Sequence, residues 1–172
     1  MNEIFWLFIL TLLPIFELRL TIPLGILSGS MHLPLLGNIS GFGLPWQVVF
    51  AVCVIANALV AIPIFFFLDF IHHRFLHIGF YRRISDFFIV KMQKKSRELK
   101  PQIDKYGYIA LALFVGVPLP MTGAWSGALI AWLLGLDRRK SFIAITAGVI
   151  IAGVLVTLIT LGSIGIFKFA FS

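Results

Sequence analysis

Residues 13–23 read LPIFELRLTIP, which places one glutamate and one arginine inside an apolar stretch, between Pro14 and Pro23. Proline removes a backbone donor and clashes with the preceding helical turn, so this element predicts a break in a helix. The apolar stretch around it covers residues 4–34, well beyond the ~20 residues that one spanning helix needs. The sequence therefore predicts a half-helix, a break and a second half-helix.

The composition of the whole chain indicates a membrane protein. Of its 172 residues, 60% are hydrophobic and 12% are charged, whereas soluble domains carry about 25% charged residues. A globule of this length has too much surface to hide so many apolar side chains. The apolar runs are continuous, which predicts membrane helices. A soluble enzyme and a disordered chain are excluded, and the single cysteine, Cys53, excludes an intrachain disulfide.

A second long apolar segment repeats this pattern. It covers residues 106–136, and VPLPMTG at 117–123 interrupts it. Each broken segment precedes an uninterrupted apolar run of spanning length. The predicted fold is an all-α integral membrane protein with two repeats, each a helical hairpin followed by a spanning helix. The repeats cover residues 1–71 and 106–172, with hairpins at 4–34 and 106–136 and spanning helices at 46–70 and 142–169.

Basic residues concentrate in two places beside the apolar segments. Nine of the 14 lysines and arginines lie in the linker at 72–105, and three more form Arg138-Arg139-Lys140. Cytoplasmic loops carry such an excess, so both places are predicted to be cytoplasmic. Phenylalanines recur among the linker charges, which favours an amphipathic helix on the membrane surface over a solvated linker. This distribution explains the net charge of +7 without nucleic-acid binding.

The two basic regions lie on one side only if residues 106–136 re-enter the membrane as a hairpin. The helix at 142–169 then runs outward and the helix at 46–70 runs inward. The two repeats acquire inverted topology, with hairpin tips that meet near the bilayer midplane. The prediction is a multi-pass protein of the cell (plasma or inner) membrane with both termini outside and residues 137–140 cytoplasmic. A single tilted crossing at 4–24 is the alternative for the first segment.

Polar residues inside the apolar segments are the first functional candidates. An ionisable residue at the bilayer centre costs ~2.5–3.5 kcal/mol on insertion scales and usually faces a cavity or an opposite charge. Arg19 suits a phosphate or carboxylate group. Glu17 attracts cations and is the predicted proton-coupling residue, while a structural Glu17–Arg19 pair is the alternative. Thr21 and Asn57 complete this group of predicted substrate-binding residues, although Asn57 more simply hydrogen-bonds a carbonyl freed at a break.

The second break offers backbone groups and hydroxyls. Thr122 is predicted to cap a half-helix from Gly123 to Leu134, whose free N–H groups and positive dipole end suit an anion. Trp125 and Ser126 follow and are predicted substrate contacts. The alternative for Thr122 is a cap without a ligand.

Small residues predict where helices approach closely. Gly123-x-x-x-Gly127 and Ala124-x-x-x-Ala128 more simply indicate packing against the other hairpin than ligand contact. A further set forms one face of the last spanning helix: Ala144, Ala147, Gly148, Ala152 and Gly153.

Motifs for common enzymatic chemistry do not occur in the sequence. It contains no Walker loop, no HExxH and no GxSxG. His72, His73 and His77 have a spacing that suits a solvated face better than a metal site. Neither an enzyme nor a metal ion or cofactor is predicted.

The two break elements resemble one family. PIFELRLTIPLGI at 14–26 and VPLPMTGAWSGALIAWLLGLDRR at 117–139 resemble the small multidrug export protein family, which carries E-L-R-x-x-I-P and then P-L-P-G-T-G-A-W-[ST]-G. AGVIIAGVLVTLITLG at 147–162 looks like that family's last helix. Met121 stands where the family pattern has glycine, so fine ligand geometry at that tip does not carry over.

That family is similar in plan to the larger DedA (VTT-domain) superfamily, which includes carriers that recycle undecaprenyl phosphate. The resemblance implies two re-entrant hairpins, each followed by a spanning helix. The DedA pattern has arginines at the second tip. This chain has none there and carries Arg19 at the first, so the DedA ligand set does not carry over.

Three functions are compatible with these residues. The first is a DedA-like, proton-coupled carrier or flippase of an anionic lipid such as a polyprenyl (undecaprenyl) phosphate, held by Arg19 and the helix start at Thr122. The second is a proton-coupled exporter of lipophilic cations, with Glu17 as the exchange site and Trp125 and Trp132 as aromatic contacts. The third is a non-transporting membrane scaffold. A homodimer is expected, because exposed backbone at each hairpin needs neighbours within the bilayer.

Overall fold

The computed structural model describes residues 2–14, 16–33, 37–75, 106–119 and 122–170. Six helices and two short strands form in this part of the chain. They are α1 (Asn2–Leu12), α2 (Glu17–Ile26), β1 (Ser30–Leu33), β2 (Gly37–Ser40), α3 (Trp46–Phe75), α4 (Tyr108–Gly116), α5 (Ala124–Leu133) and α6 (Arg138–Ala170). The predicted surface helix at 72–105 lies outside the described residues, except where α3 extends to Phe75.

The first broken segment folds back on itself as a helical hairpin. The Thr11 and Thr21 hydroxyl oxygens are 3.0 Å apart. A Cβ atom added to Gly25 would lie 3.2 Å from Leu7 Cδ1. Residues later in α2 therefore face residues earlier in α1, which is the pattern of two antiparallel helices. The chain between residues 4 and 24 does not form one straight helix.

The break itself is shorter than predicted. It covers residues 13–16, and α2 starts at Glu17 and continues through Pro23 to Ile26. The prediction that Pro23 bounds the break is therefore wrong. A proline costs a helix one hydrogen bond without having to end it, and Leu27 N–H donates to the Pro23 carbonyl at 2.9 Å. Glu17 and Arg19 consequently lie in the first turn of a helix.

An antiparallel pair of strands follows α2. Its register pairs Ser30 with Ser40 and Leu33 with Gly37. The chain leaving β2 returns to α2, because the N–H groups of Phe42 and Leu44 donate to helix carbonyls at 2.9 and 2.8 Å. These bonds satisfy carbonyls that a helix end leaves free. Gly41 lies so close to the Leu27 carbonyl that any side chain would collide with it.

The second broken segment also folds back. A Cβ atom on Gly127 of α5 would lie 2.6 Å from Val115 of α4, and Asp137 N–H, beyond α5, donates to the Tyr108 hydroxyl at the start of α4 at 3.2 Å. Again, later residues face earlier ones, so α4 and α5 are antiparallel. The prediction that Gly127 packs against the other hairpin is wrong, because its nearest contacts are Val115 and Ile145. A glycine this close to α4 leaves no room for any larger side chain.

The two long helices are the candidate membrane spans. Trp46–Phe70 and Arg138–Ser163 are long and apolar enough to cross a membrane. The second starts earlier than the predicted 142, because the Asp137 carboxylate accepts from Lys140 N–H at 2.9 Å and caps the helix. The basic cluster 138–140 therefore forms the first turn of α6.

The described residues divide into two compact units. One contains Met1–Asn57 and Ile150–Ser172, and the other contains Ala58–Val149. Each unit includes one helical hairpin and a part of both long helices. The small-residue face of α6 has residues in each unit. In the first unit, a Cβ atom on Gly153 would lie 2.8 Å from Val54. In the second unit, a Cβ atom on Gly148 would lie 2.7 Å from Val115.

The surface of the protein is apolar and its interior holds polar groups. Large side chains such as Phe66, Ile143 and Leu158 are more than 60% exposed. Among the described residues, the buried polar ones are Thr11, Glu17, Thr21, Asn57, Ser141, Thr157 and Thr160. Water would penalise such a surface, whereas lipid tails are as apolar as these side chains. The all-helical membrane prediction is thus confirmed in outline, with the strand pair as an addition.

Candidate functional site

Glu17 occupies an unusual backbone position at the start of α2. Its φ angle is 41°, in the left-handed region that residues other than glycine rarely adopt. Its N–H donates to the Leu13 carbonyl at 3.1 Å across the break. The residue is only 6% exposed. A strained backbone of this kind persists where the surrounding structure holds it and is frequent at functional sites.

Arg19 lies two residues further into the same turn and provides a counter-charge. Its Nη1 atom is 3.6 Å from Glu17 Oε2, and the two side chains are 14% and 8% exposed. Charges taken this far out of water require a partner. The structure thus brings together the two charged residues that the sequence singled out.

Three side chains, those of Thr11, Thr21 and Cys53, form a small polar cluster next to this turn. Thr21 donates its hydroxyl hydrogen bond to the Glu17 carbonyl. The thiol of Cys53 on α3 lies 3.5 Å from the Thr21 hydroxyl, and Thr11 lies within 3.6 Å of the same thiol. All three side chains are fully buried. Thr21, a predicted substrate-binding residue, therefore lies where it positions the backbone of Glu17.

Asn57 lies fully buried in α3. Neither its amide nitrogen nor its amide oxygen has a hydrogen-bond partner among the described residues. The predicted bond to a carbonyl freed at a break is therefore not formed in this part of the chain. A buried amide without partners loses its solvation, a cost of about 1–3 kcal/mol.

Thr122 does not cap α5. Its hydroxyl lies 2.7 Å from the Val117 carbonyl and 2.9 Å from the Leu119 carbonyl, both of which follow α4. Gly123 takes the N-cap position in an extended conformation, without a side-chain cap among the described residues. The predicted cap is wrong, because the hydroxyl lies against the Val117 and Leu119 carbonyls after α4. α5 starts at Ala124 and ends at Leu133.

The other residues of the second break contribute mainly to packing. Ser126 donates to the Gly123 carbonyl at 3.1 Å, and Trp125 is half-buried. Ala124 and Ala128 are fully buried. Burial of both alanines is what close helix packing requires.

Asp69 is a charged residue that the sequence reasoning missed. Its Oδ1 atom accepts from the Trp132 indole N–H at 2.9 Å, and its carboxylate forms an ion pair with Arg138. One side chain of α3 thereby ties α5 to the first turn of α6. The available signal was an acidic residue at the end of an apolar run, which calls for a partner. Trp132, predicted as an aromatic contact for cations, has its polar edge occupied by this carboxylate.

Comparison with known protein families places these features in context. Residues 17–155 match the family described as "Putative small multi-drug export protein". The match starts at Glu17, directly after the first break, and includes the second break and more than half of α6. No curated protein and no solved structure matches the chain. The resemblance of the two break elements is thereby confirmed, and the chain belongs to the small multi-drug export protein family.

Proposed function

We propose that the protein is a membrane transporter that exports small lipophilic cations in exchange for protons, with Glu17 as the exchange site. The family description names multidrug export. The observation that carries the proposal is the buried Glu17 carboxylate, held at a strained turn with Arg19 at 3.6 Å. A carboxylate taken out of water requires a positive partner or a proton to neutralise it.

The mechanism follows from competition for that carboxylate. Arg19 is a tethered cation that neutralises Glu17 in the absence of substrate. A lipophilic cation that reaches the turn replaces Arg19 as the counter-ion, and a proton that binds Glu17 removes the charge that held the substrate. Proton and substrate therefore exclude each other, which couples their opposite movements. Thr21 and Cys53 hold the turn in place.

Transport of an anionic lipid is the second candidate. Arg19 favours it, because protonation of Glu17 releases a guanidinium group that suits a phosphate. The start of α5, which lacks a side-chain cap among the described residues, offers further N–H donors. On this hypothesis proton and anion bind together, whereas a cation and a proton exclude each other.

Ligand-dependent stabilisation of the purified protein separates the candidates. A ligand that binds only the folded state stabilises it by about 2.7 kcal/mol at one hundred times its Kd. We expect tetraphenylphosphonium to stabilise the protein, to act more strongly on Arg19→Gln, which lacks the tethered competitor, and to lose its effect on Glu17→Gln. Glu3→Gln is the matched control, since Glu3 is exposed.

Each other outcome identifies an alternative. Stabilisation by a polyprenyl phosphate alone, lost in Arg19→Gln, contradicts cation export and supports the lipid carrier. Stabilisation by neither ligand, with both variants affecting only the yield of folded protein, supports the scaffold.

The proposed orientation has the first turn of α6 in the cytoplasm and the N-terminus outside, so that both hairpins re-enter the membrane. Cysteine labelling tests it after Cys53→Ser, because Glu3 and Lys140 are both exposed. We expect an impermeant maleimide to label Glu3→Cys in intact cells and Lys140→Cys only after permeabilisation. Labelling of Lys140→Cys in intact cells would contradict the orientation.

A further inference from the structure

An apolar groove runs along the second unit, between α3 and the first turns of α6. It has a volume of about 390 Å³. Ile62, Phe65 and Phe66 line it from α3, and Phe142 and Ile143 line it from α6. Phe66 and Ile143 are 66% and 68% exposed, so the groove is open to the surroundings.

One end of the groove carries two arginines. Arg138 and Arg139 complete its lining. Asp69 pairs with Arg138, whereas Arg139 is exposed in the first turn of α6, where the helix dipole adds positive potential. The feature is therefore amphipathic, with an apolar channel that ends at an exposed guanidinium group.

We propose that this groove binds an anionic phospholipid, with the phosphate on Arg139 and Arg138 and an acyl chain along the apolar channel. Basic pockets between transmembrane helices bind anionic lipid headgroups, and the channel has the dimensions of a small-molecule site, about 300–1,000 Å³. A zwitterionic lipid fits the channel equally well but brings its own positive charge to the arginines. This inference requires that the protein lies in a membrane. It does not depend on which substrate the protein transports.

The ion pair between Asp69 and Arg138 holds the Arg138 guanidinium group in place at the proposed lipid site. Asp69 holds Arg138 at the mouth of the groove and also accepts from Trp132. A lipid phosphate between the arginines therefore meets the guanidinium group held by Asp69 and the exposed guanidinium group of Arg139. Bound lipid would connect the end of α3 to the start of α6, the same junction that Asp69 makes.

Lipid titration of the detergent-purified protein tests the proposal, with thermal stability as the readout. The probes are phosphatidylglycerol and phosphatidylcholine with identical acyl chains, and inorganic phosphate alone. We expect saturable stabilisation by phosphatidylglycerol, with binding weakened about fivefold in Arg139→Gln, the value of one basic residue near an anionic surface. Ile143→Ser, which removes an exposed wall of the channel, is expected to weaken binding of both lipids.

Lys140→Gln is the matched control, because its ammonium group lies 5.8 Å from the centre of the Tyr108 ring and does not line the groove. It is expected to leave lipid binding unchanged. Equal stabilisation by the two lipids, equal weakening by Lys140→Gln and Arg139→Gln, or the same effect from inorganic phosphate would each overturn the proposal. Both the wild-type protein and these surface variants can be studied without a transport assay, so a failed export hypothesis leaves the test intact.

Discussion

Glu17→Gln is expected to lower the free energy of unfolding by about 3 kcal/mol, because it removes one partner of a buried ion pair, a change that is strongly destabilising. Arg19 is 14% exposed at its side chain and has Glu17 as its nearby carboxylate at 3.6 Å. The loss of the carboxylate also removes a constraint from a backbone held at a φ of 41°. Unfolding in detergent, followed by circular dichroism, measures the change.

A double-mutant cycle distinguishes pairing from independent effects. Arg19→Gln alone is expected to be destabilising, and Glu17→Gln with Arg19→Gln is expected to cost less than the sum of the single changes. Glu3→Gln, an exposed acid on α1, serves as the control and should change stability by less than about 0.5 kcal/mol. Strict additivity of the two changes would show that the charges do not interact. The same variants enter the ligand experiment, so stability and binding are read from one set of proteins.

Gly148→Ala is the second change with a large expected effect. A Cβ atom there would lie 2.5 Å from the Ala112 carbonyl oxygen and 2.7 Å from Val115 Cβ. Neither contact belongs to a flexible side-chain end, so α4 and α6 must move apart. Overpacking of this kind costs about 1–3 kcal/mol, which outweighs the gain of up to ~1 kcal/mol that alanine brings to a helix.

Gly162→Ala provides the matched control on the same helix. No described atom lies within 4 Å of a Cβ atom added at Gly162. Alanine there is expected to leave stability unchanged or to raise it, because helix propensity is the main term left. Thermal unfolding of both variants in one detergent measures the contrast. Equal stability of the two variants would contradict the close approach of α4 and α6.

The candidate site was largely visible in the sequence, for a physical reason. Charges inside an apolar run are rare because each one is costly in lipid, so Glu17 and Arg19 stand out without any structure. What they do to each other depends on local geometry that the spacing did not specify. The prolines suggested that both residues lie within the break, whereas α2 begins at Glu17 and passes through Pro23.

The second break illustrates the opposite case. A threonine before a glycine and a helix predicts an N-cap, because its hydroxyl can reach the first free N–H groups. Thr122 instead lies 2.7 and 2.9 Å from two carbonyls that follow α4, those of Val117 and Leu119. Two neighbouring helix ends compete for one hydroxyl, and only the fold of the turn decides between them.

The sequence by itself determined the membrane class, the two broken segments, the two long apolar helices and the family, because composition and hydrophobic run length are local and strong signals. The loop charges also predicted the two helical hairpins, whereas the tertiary structure alone excluded a single straight helix at residues 4–24 and showed that a strand pair follows α2. It also decided that Asp69 accepts a hydrogen bond from Trp132, a residue 63 positions away. Contacts of this range depend on which helix faces pack together, and no local pattern specifies that choice. The proposed lipid-binding groove also depends on tertiary structure, because its lining residues come from α3 and α6, two helices far apart in the chain.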